Sequence, residues 1–159
     1  MDLPVIFETP VEPEWLDYNG HVRDAYYAVA FSLAIDAMMD DLGLDETYRE
    51  RTACTLYTLE VHLHFLAETK AGDVLTVRMR VLACDSKRLH ALFLMSRGDG
   101  ELVSAQDTML LHVDQNAGPA SSAFPEPVLE RLQSLAKGHA ALPAAEHTAR
   151  SMGLRPKAA

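Results

Sequence analysis

The stretch WLDYNGHVRDAYY, residues 15–27, concentrates the side chains best suited to acid-base or nucleophilic chemistry. Asp17 offers a carboxylate, and the Asn19-Gly20 step after it is a strong turn signal. A helix is predicted to begin at Asp24, and the first N–H groups of a helix have no partner within it. A carboxylate beside free N–H groups fits hydrolysis of an activated carbonyl, which needs a nucleophile or base and donors for the developing oxyanion.

Each polar side chain of this stretch also has a structural interpretation. Asp17 would fit an Asx turn or a helix N-cap, and Asn19 would fit a simple tight turn. His21 either orients the loop through a hydrogen bond or lines a substrate pocket, and Asn19 either turns the chain or positions water or substrate. These residues alone leave both interpretations open.

Hydrophobic periodicity gives the elements that must position this stretch. Only Ser32 is polar between Ala25 and Ile35, so this helix is expected to be buried on all sides. Alternation of apolar and polar side chains predicts long strands after it. The predicted elements are a strand over 3–11, the helix over 24–42, a polar connection over 44–52 that is a loop or a helix, strands over 54–67, 73–84, 88–97 and 101–114, and a helix over 124–137.

Short turns between the four long strands predict an antiparallel meander, with a Gly-Asp turn over 68–73. One strand, one buried helix and four long strands make an α+β fold. A helix this apolar needs a curved sheet around it, and that sheet has an edge and an outer face that also need covering. Two such sheets joined edge to edge would provide this, so we expect a homodimer or tetramer.

Length and charge exclude several classes of protein. A chain of 159 residues, 48% of them hydrophobic, fits a single domain, which we assign to residues 1–137. Residues 138–159 form a C-terminal tail that is either flexible or docked on a partner. A net charge of −9 argues against a nucleic-acid partner. The chain has no apolar run of membrane-spanning length, and its N-terminus lacks the basic region of a signal peptide.

Cysteine and histidine usage limits the chemistry further. The two cysteines, Cys54 and Cys84, could form one disulfide, but a cytoplasmic protein with two free, packed thiols is expected. His62 and His64 share a strand face, but no Cys or carboxylate completes a zinc signature, so we expect no metal and no other cofactor. The absence of a Gly-x-Ser-x-Gly motif argues against an α/β-hydrolase.

With this element order, the opening stretch resembles the hotdog-fold acyl-CoA thioesterases of the 4-hydroxybenzoyl-CoA thioesterase type. Their motif of an Asp, two residues, a Gly and often His-Val before the central helix corresponds to Asp17–Val22, and Arg23-Asp24 replaces the common Asn-Asn after it. Within that family, the segments PEWLDYNGH, YTLEVHLHFL, KAGDVLTV, KRLH and MLLHVD are most similar to the betainyl-CoA thioesterases of carnitine breakdown, which occur alone or fused to L-carnitine dehydrogenase.

The resemblance implies a hotdog fold, in which an antiparallel sheet wraps around one long central helix and the protein is dimeric. It also implies that Asp17, Asn19 and His21 belong to a catalytic site. The backbone N–H of Asp24 would polarise the thioester carbonyl.

A betainyl group ends in a quaternary ammonium, which aromatic faces and a carboxylate can hold. Trp15, Tyr26 and Tyr27 are the candidates beside Asp17, in a chain that is only 7% aromatic. The alternative for the two tyrosines is that they pack the helix against the sheet.

Three charged residues outside the opening stretch are further substrate-binding candidates. Glu60, on the polar face of its strand, either approaches a dimer-related site or is a solvated carboxylate. Lys87 and Arg88, where a strand begins, either bind the CoA diphosphate or are solvated turn residues.

The sequence therefore predicts an acyl-CoA thioesterase that hydrolyses betainyl-CoA to glycine betaine and CoA. One alternative is a thioesterase for another aromatic or aliphatic acyl-CoA. The other is a non-catalytic hotdog module that binds acyl-CoA or serves as an assembly subunit, which would have no need of an acid such as Asp17 at the thioester.

Overall fold

The computed structural model describes residues 3–152, and these form an α+β fold, as predicted. A short 3-10 turn spans Pro13–Trp15, and most of the polar connection is helical. The helices are α1 (Asp24–Asp41), α2 (Glu46–Thr52) and α3 (Glu126–His139). The strands are β1 (Val5–Pro10), β2 (Cys54–Phe65), β3 (Val74–Cys84), β4 (Arg88–Arg97), β5 (Leu102–Asp114) and β6 (Ala120–Ser121).

The strands form one curled antiparallel sheet in the order β1-β3-β4-β5-β2, with β6 paired to the end of β5. The meander prediction is right for β3, β4 and β5 and wrong for β2. β2 pairs with β5 from Cys54 opposite Asp114 to Phe65 opposite Ser104, so it forms an edge of the sheet. Residues 66–73, here called the crossover, therefore carry the chain across to β3 instead of making a hairpin turn.

Helix α1 packs one side against the sheet. Tyr27, Phe31 and Met38 are buried there together with Ala30 and Ala34. The prediction that α1 is buried on all sides is wrong for the single chain, because Val29 and Leu33 on its other side are 40% and 41% exposed. An apolar helix surface left open in one chain suggests that another molecule covers it.

Helix α3 lies beside the half of β3 that β1 leaves unpaired. The free edge N–H of Val81 donates to Nδ1 of His139 at 2.9 Å. The guanidinium of Arg80 then donates to the carbonyl oxygens of His139, Leu142 and Pro143 at 3.2, 3.4 and 2.7 Å. These contacts hold the beginning of the C-terminal segment against the sheet.

The described part of the predicted tail continues over the outer face of the sheet, the face away from α1. The N–H of Ala149 donates to Oδ2 of the buried Asp107 at 2.7 Å. Residues 153–159 of the predicted tail lie outside the described residues. No helix within 3–152 combines the length and apolarity needed to cross a membrane.

Candidate active site

Asp17 lies in a tight loop that leads into α1. Its Oδ1 accepts hydrogen bonds from the backbone N–H groups of Asn19 at 2.8 Å and His21 at 3.1 Å, and its own N–H donates to the carbonyl of His21 at 2.8 Å. Gly20 occupies the left-handed region, with φ of 78°, which glycine adopts without strain. The loop is therefore an Asx turn, the structural alternative for Asp17, and its carboxylate is fixed in orientation.

The Asx turn also sets the charge of Asp17. Donation from the backbone N–H of His21, more than that of Asn19, lowers the pKa of the Asp17 carboxyl below its ordinary value. Both backbone bonds use Oδ1 and leave Oδ2 without a backbone donor among residues 3–152, and the side chain of Asn19 adds a smaller lowering of the pKa. An ionised carboxylate with one oxygen anchored and the other available can act as a base or nucleophile.

Helix α1 begins without a side-chain cap. The N-cap residue is Arg23, whose N–H donates to the carbonyl of Trp15 at 3.0 Å. The carboxylate of Asp24 accepts from the N–H of Ala25 at 2.8 Å, whereas the N–H of Asp24 itself has no acceptor within the described chain. That free N–H, at the positive end of the helix dipole, is suited to a developing oxyanion.

The crossover closes over this end of α1. The N–H of Val22 donates to the carbonyl of Thr69 at 2.9 Å, and the Tyr27 hydroxyl lies 2.6 Å from Oγ1 of Thr69. Nε2 of His21 lies 3.2 Å from a carboxylate oxygen of Glu68. The segment that the sequence suggested was a simple turn is therefore one wall of the candidate site.

A cavity of about 350 Å³ lies between the start of α1 and the end of β2 with the first residues of the crossover. One wall carries His21, Asp24 and Tyr27, and the other carries Phe65 and Glu68. Phe65 contacts Tyr27 in a T-shaped arrangement with ring centroids 5.5 Å apart. Sequence reasoning missed Phe65 and Glu68, because the first was assigned to a packed strand face and the second to a turn.

The predicted aromatic residues fall into two groups. Tyr27 is 4% exposed and lines the cavity. Trp15 is buried and stacks on Tyr26, with ring centroids 5.8 Å apart and an interplanar angle of 13°. This stacked pair does not line the cavity, so packing is the interpretation that fits Trp15 and Tyr26.

The structure does not bring Glu60 to Asp17 within one chain. Leu63 faces the core, and Glu60 points to the opposite, outer face of β2. There its carboxylate bonds Nε2 of His62 at 2.8 Å. Such an exposed pair is typical of a solvated strand face.

Lys87 and Arg88 lie at the far end of the sheet. Arg88 pairs with Asp85 at 2.6 Å, and Nζ of Lys87 donates to Oγ of Ser121 at 3.2 Å. The carbonyl of Lys87 accepts from the N–H of His112 on β5, whereas Phe65 at the cavity pairs with Ser104 on the same strand. Roughly 25 Å of β5 therefore separates Lys87 from the cavity. A single chain cannot place these cations at the cavity.

No group of three or more His, Cys, Asp or Glu side chains in the described part of the chain is arranged to hold a metal ion. His62 is engaged by Glu60, and Nε2 of His64 is buried without a partner in residues 3–152.

Comparison with known proteins agrees with this geometry. The sequence model of the Thioesterase-like superfamily matches residues 11–132. A betainyl-CoA thioesterase of Pseudomonas aeruginosa is 48% identical over 153 residues, 94% of each chain. An L-carnitine dehydrogenase/betainyl-CoA thioesterase of Rhizobium meliloti is 34% identical over 93% of this chain and 30% of its own length.

A solved structure of a Staphylococcus aureus protein in complex with CoA is also similar. It superposes with a TM-score of 0.88 at 30% identity and covers 98% of both chains. The predicted family resemblance is thus confirmed over nearly the whole chain, and the protein belongs to the Thioesterase-like superfamily, whose members include thioester hydrolases.

Proposed function

We propose that this protein hydrolyses betainyl-CoA to glycine betaine and CoA, as a step of carnitine breakdown. The support for the acyl group is the betainyl-CoA thioesterase activity of the Pseudomonas relative, at 48% identity over 94% of both chains. The support for the pathway is the fusion of a similar domain to L-carnitine dehydrogenase in Rhizobium meliloti. The support for CoA is the similar Staphylococcus structure with CoA bound.

The observation that carries the proposal is the oriented, ionised carboxylate of Asp17 on the loop that enters α1. In the proposed reaction, Asp17 either attacks the thioester carbonyl carbon or removes a proton from a water that attacks it. The carbonyl oxygen becomes an oxyanion and accepts a hydrogen bond from the N–H of Asp24. Collapse of that oxyanion breaks the C–S bond and releases the CoA thiolate. If water attacked, glycine betaine is formed directly and the proton held by Asp17 passes to the thiolate. If Asp17 attacked, a water molecule then hydrolyses the mixed anhydride, which releases glycine betaine and restores the carboxylate.

Asn19 and His21 serve this reaction as positioning residues. Their backbone N–H groups hold Oδ1 of Asp17, which directs the other oxygen toward the substrate. The imidazole of His21 also lines the cavity, where it contacts Glu68. The side chain of Asn19 is exposed, so its proposed contribution is the turn itself.

A homodimer is part of the proposal, because one chain leaves two apolar surfaces open. The 12-residue strand β2 is an edge strand on which Leu59 and Val61 are 54% and 43% exposed, and the open side of α1 adds Val29 and Leu33. A twofold axis at the β2 edge would join two strands in antiparallel fashion and continue the sheet from one copy to the other.

The same twofold arrangement supports the predicted role of Lys87 and Arg88. Antiparallel pairing of β2 with its symmetry mate sets the Cys54 end of one strand beside the Phe65 end of the other. Lys87 lies at the Cys54 end of its own sheet, since its carbonyl bonds His112. Each site would then obtain its CoA-binding cations from the second copy.

We also place the enzyme in the cytoplasm. Cys54 and Cys84 are both free thiols in the structure. Burial raises the pKa of the Cys84 thiol, which keeps it protonated and unreactive.

The experiment that tests the chemistry is Asp17→Asn. The amide oxygen can still accept from the N–H groups of Asn19 and His21, so the loop and CoA binding should persist while turnover falls about a hundredfold or more. Asp114→Asn is the matched control, because Oδ1 of Asp114 accepts the same kind of backbone hydrogen bond, from the N–H of Asn116 at 2.8 Å, at the far end of β5. Hydrolysis near the native rate by Asp17→Asn would contradict the catalytic role of Asp17, whereas CoA binding without hydrolysis by wild type would favour a binding module over an enzyme.

Release of CoA from betainyl-, benzoyl- and medium-chain acyl-CoA tests the substrate. We expect the highest kcat/KM for betainyl-CoA. A preference for either of the other thioesters would end the betainyl assignment and leave the thioesterase assignment standing.

A further inference from the structure

We infer that the cavity beside α1 binds the quaternary ammonium group at the end of the acyl chain. In this pocket Glu68 supplies the negative charge and Phe65 supplies the aromatic surface. The inference rests on the proposed function and extends it, because it names residues that select the acyl group. It also replaces the sequence-based candidates Trp15 and Tyr26, which stack on each other away from the cavity.

The charges around the cavity favour a cation. Its ionisable lining consists of the carboxylates of Asp24 and Glu68 and the imidazole of His21, and no Lys or Arg of the described chain lines it. The guanidinium of Arg97 reaches the backbone carbonyl of Glu68 at 2.7 Å, but its charge is paired with Asp99 and Glu101. A concave, negatively charged site with apolar walls attracts cationic groups and repels carboxylates.

Glu68 is tied to the catalytic loop through His21. Its carboxylate lies 3.2 Å from Nε2 of His21, and the backbone of His21 is bonded in both directions to Asp17. The backbone of Glu68 is held by Arg97. Asp17 does not itself line the cavity, but His21 does, and it connects Glu68 to the loop that holds the Asp17 carboxylate.

Phe65 offers an aromatic surface that packing within one chain leaves uncovered. Its ring is held by the T-shaped contact with Tyr27, yet 54% of the residue is exposed at the cavity and the β2 edge. Tyr27 is fixed in turn by its hydroxyl contact with Thr69. An aromatic face and a carboxylate together satisfy a trimethylammonium group, which cannot donate a hydrogen bond.

The test compares two thioesters of the same shape, betainyl-CoA and its neutral isostere 3,3-dimethylbutanoyl-CoA. Wild type should prefer the charged substrate in kcat/KM. Glu68→Gln keeps an acceptor for His21 and removes the charge, so it should lower the ratio of kcat/KM for betainyl-CoA to kcat/KM for the isostere about tenfold. Phe65→Leu keeps an apolar side chain and should lower the preference about fivefold.

Glu14→Gln is the matched control, because it removes the same charge from an exposed position outside the cavity. It should leave the preference unchanged. If Glu68→Gln slows both thioesters equally, or if Glu14→Gln has the same effect as Glu68→Gln, the pocket assignment is overturned.

A binding measurement separates this inference from the proposed function. Two non-hydrolysable CoA thioethers, one ending in trimethylammonium and one in tert-butyl, are titrated calorimetrically into wild type and Glu68→Gln. Tighter binding of the charged thioether that depends on Glu68 supports the pocket even if betainyl-CoA is not hydrolysed, in which case the proposed function alone fails. Equal binding of the two thioethers by wild type rejects the pocket even if betainyl-CoA is hydrolysed.

Discussion

The hydroxyl oxygen of Tyr27 lies 2.6 Å from Oγ1 of Thr69, and this contact joins the first turn of α1 to the crossover. Thr69 is fully buried, and its carbonyl accepts the N–H of Val22 at 2.9 Å. Thr69 therefore contacts both the first turn of α1 and the loop before it, and it is the buried contact among those that join the two walls of the candidate site.

Removing this hydroxyl contact should weaken the fold and the site together. Tyr27→Phe leaves the Thr69 hydroxyl buried without its partner, so we expect a loss of about 1–2 kcal/mol in the free energy of unfolding and a lower kcat. Denaturant unfolding measures the first effect. Adding Thr69→Val removes the hydroxyl that Tyr27→Phe leaves unpaired, so the double variant should lose less free energy of unfolding than the two single variants together. Strict additivity would contradict a direct contact.

The pH dependence of hydrolysis should reflect the lowered pKa of Asp17. A carboxyl whose pKa is depressed stays ionised as the pH falls and is protonated only below the ordinary range of Asp. The acid limb of kcat/KM caused by this group should therefore lie below about pH 4. An Asp17-dependent limb between about pH 5 and 7 would show that the backbone donors do not hold the carboxylate in the working enzyme.

His112 should make stability depend on pH in a different range. It is 1% exposed, and because its Nδ1 must donate to the carbonyl of Ser122, its Nε2 accepts from the hydroxyl of Tyr48 at 2.9 Å. Burial lowers the pKa of His112, so the unfolded chain binds the proton more readily than the folded one.

The contribution of neutral His112 is thus fully present above about pH 6.5 and is lost as the pH falls toward the lower pKa of the folded state. His112→Gln, which does not titrate, should be less stable at neutral pH and show a shallower decline of stability between about pH 6.5 and 5. Denaturant midpoints across this range measure the effect. Parallel curves for the two proteins would assign the decline to other groups.

Sedimentation at low micromolar concentration should show wild type as a dimer or a multiple of it. Leu33→Glu places a charge on the open apolar side of α1 and should shift the protein toward monomer, because the charge would be buried in the interface. Gln133→Glu adds a charge to an exposed position of α3 and should not. A well-folded wild-type monomer would contradict the proposed homodimer.

Local sequence patterns predicted most elements but not all of their pairings. Alternation placed β4 at Arg88–Arg97, and apolar density placed the start of α1 at Asp24. A turn signal describes only the local backbone. It could not reveal that β2 pairs with the distant strand β5, from Phe65 opposite Ser104 to Cys54 opposite Asp114, or that the crossover therefore spans the sheet. The exposed side of α1 was equally hidden, because periodicity records which residues are apolar and not which molecule covers them.

The candidate site was likewise predictable only where its residues are close together in the sequence. The motif around Asp17 located the carboxylate, the turn and the helix start, since all three are close in sequence. Glu68 and Phe65 were missed, because only the long-range pairing of β2 brings them to α1. The sequence could not reveal that Trp15 and Tyr26 stack on each other, because aromatic density near a motif does not distinguish a lining residue from a stacked one.

The crossover also bears on how this family can change its substrates. Glu68 belongs to a connection and not to the hydrogen-bonded ladder of the sheet, whereas Thr69 beside it is fixed by the helix. Evolution can therefore substitute Glu68, the residue that contacts the acyl group, while Thr69 and the strands keep their contacts. A protein with the same scaffold and a neutral or basic residue at this position would be a natural starting point for a different acyl-CoA specificity.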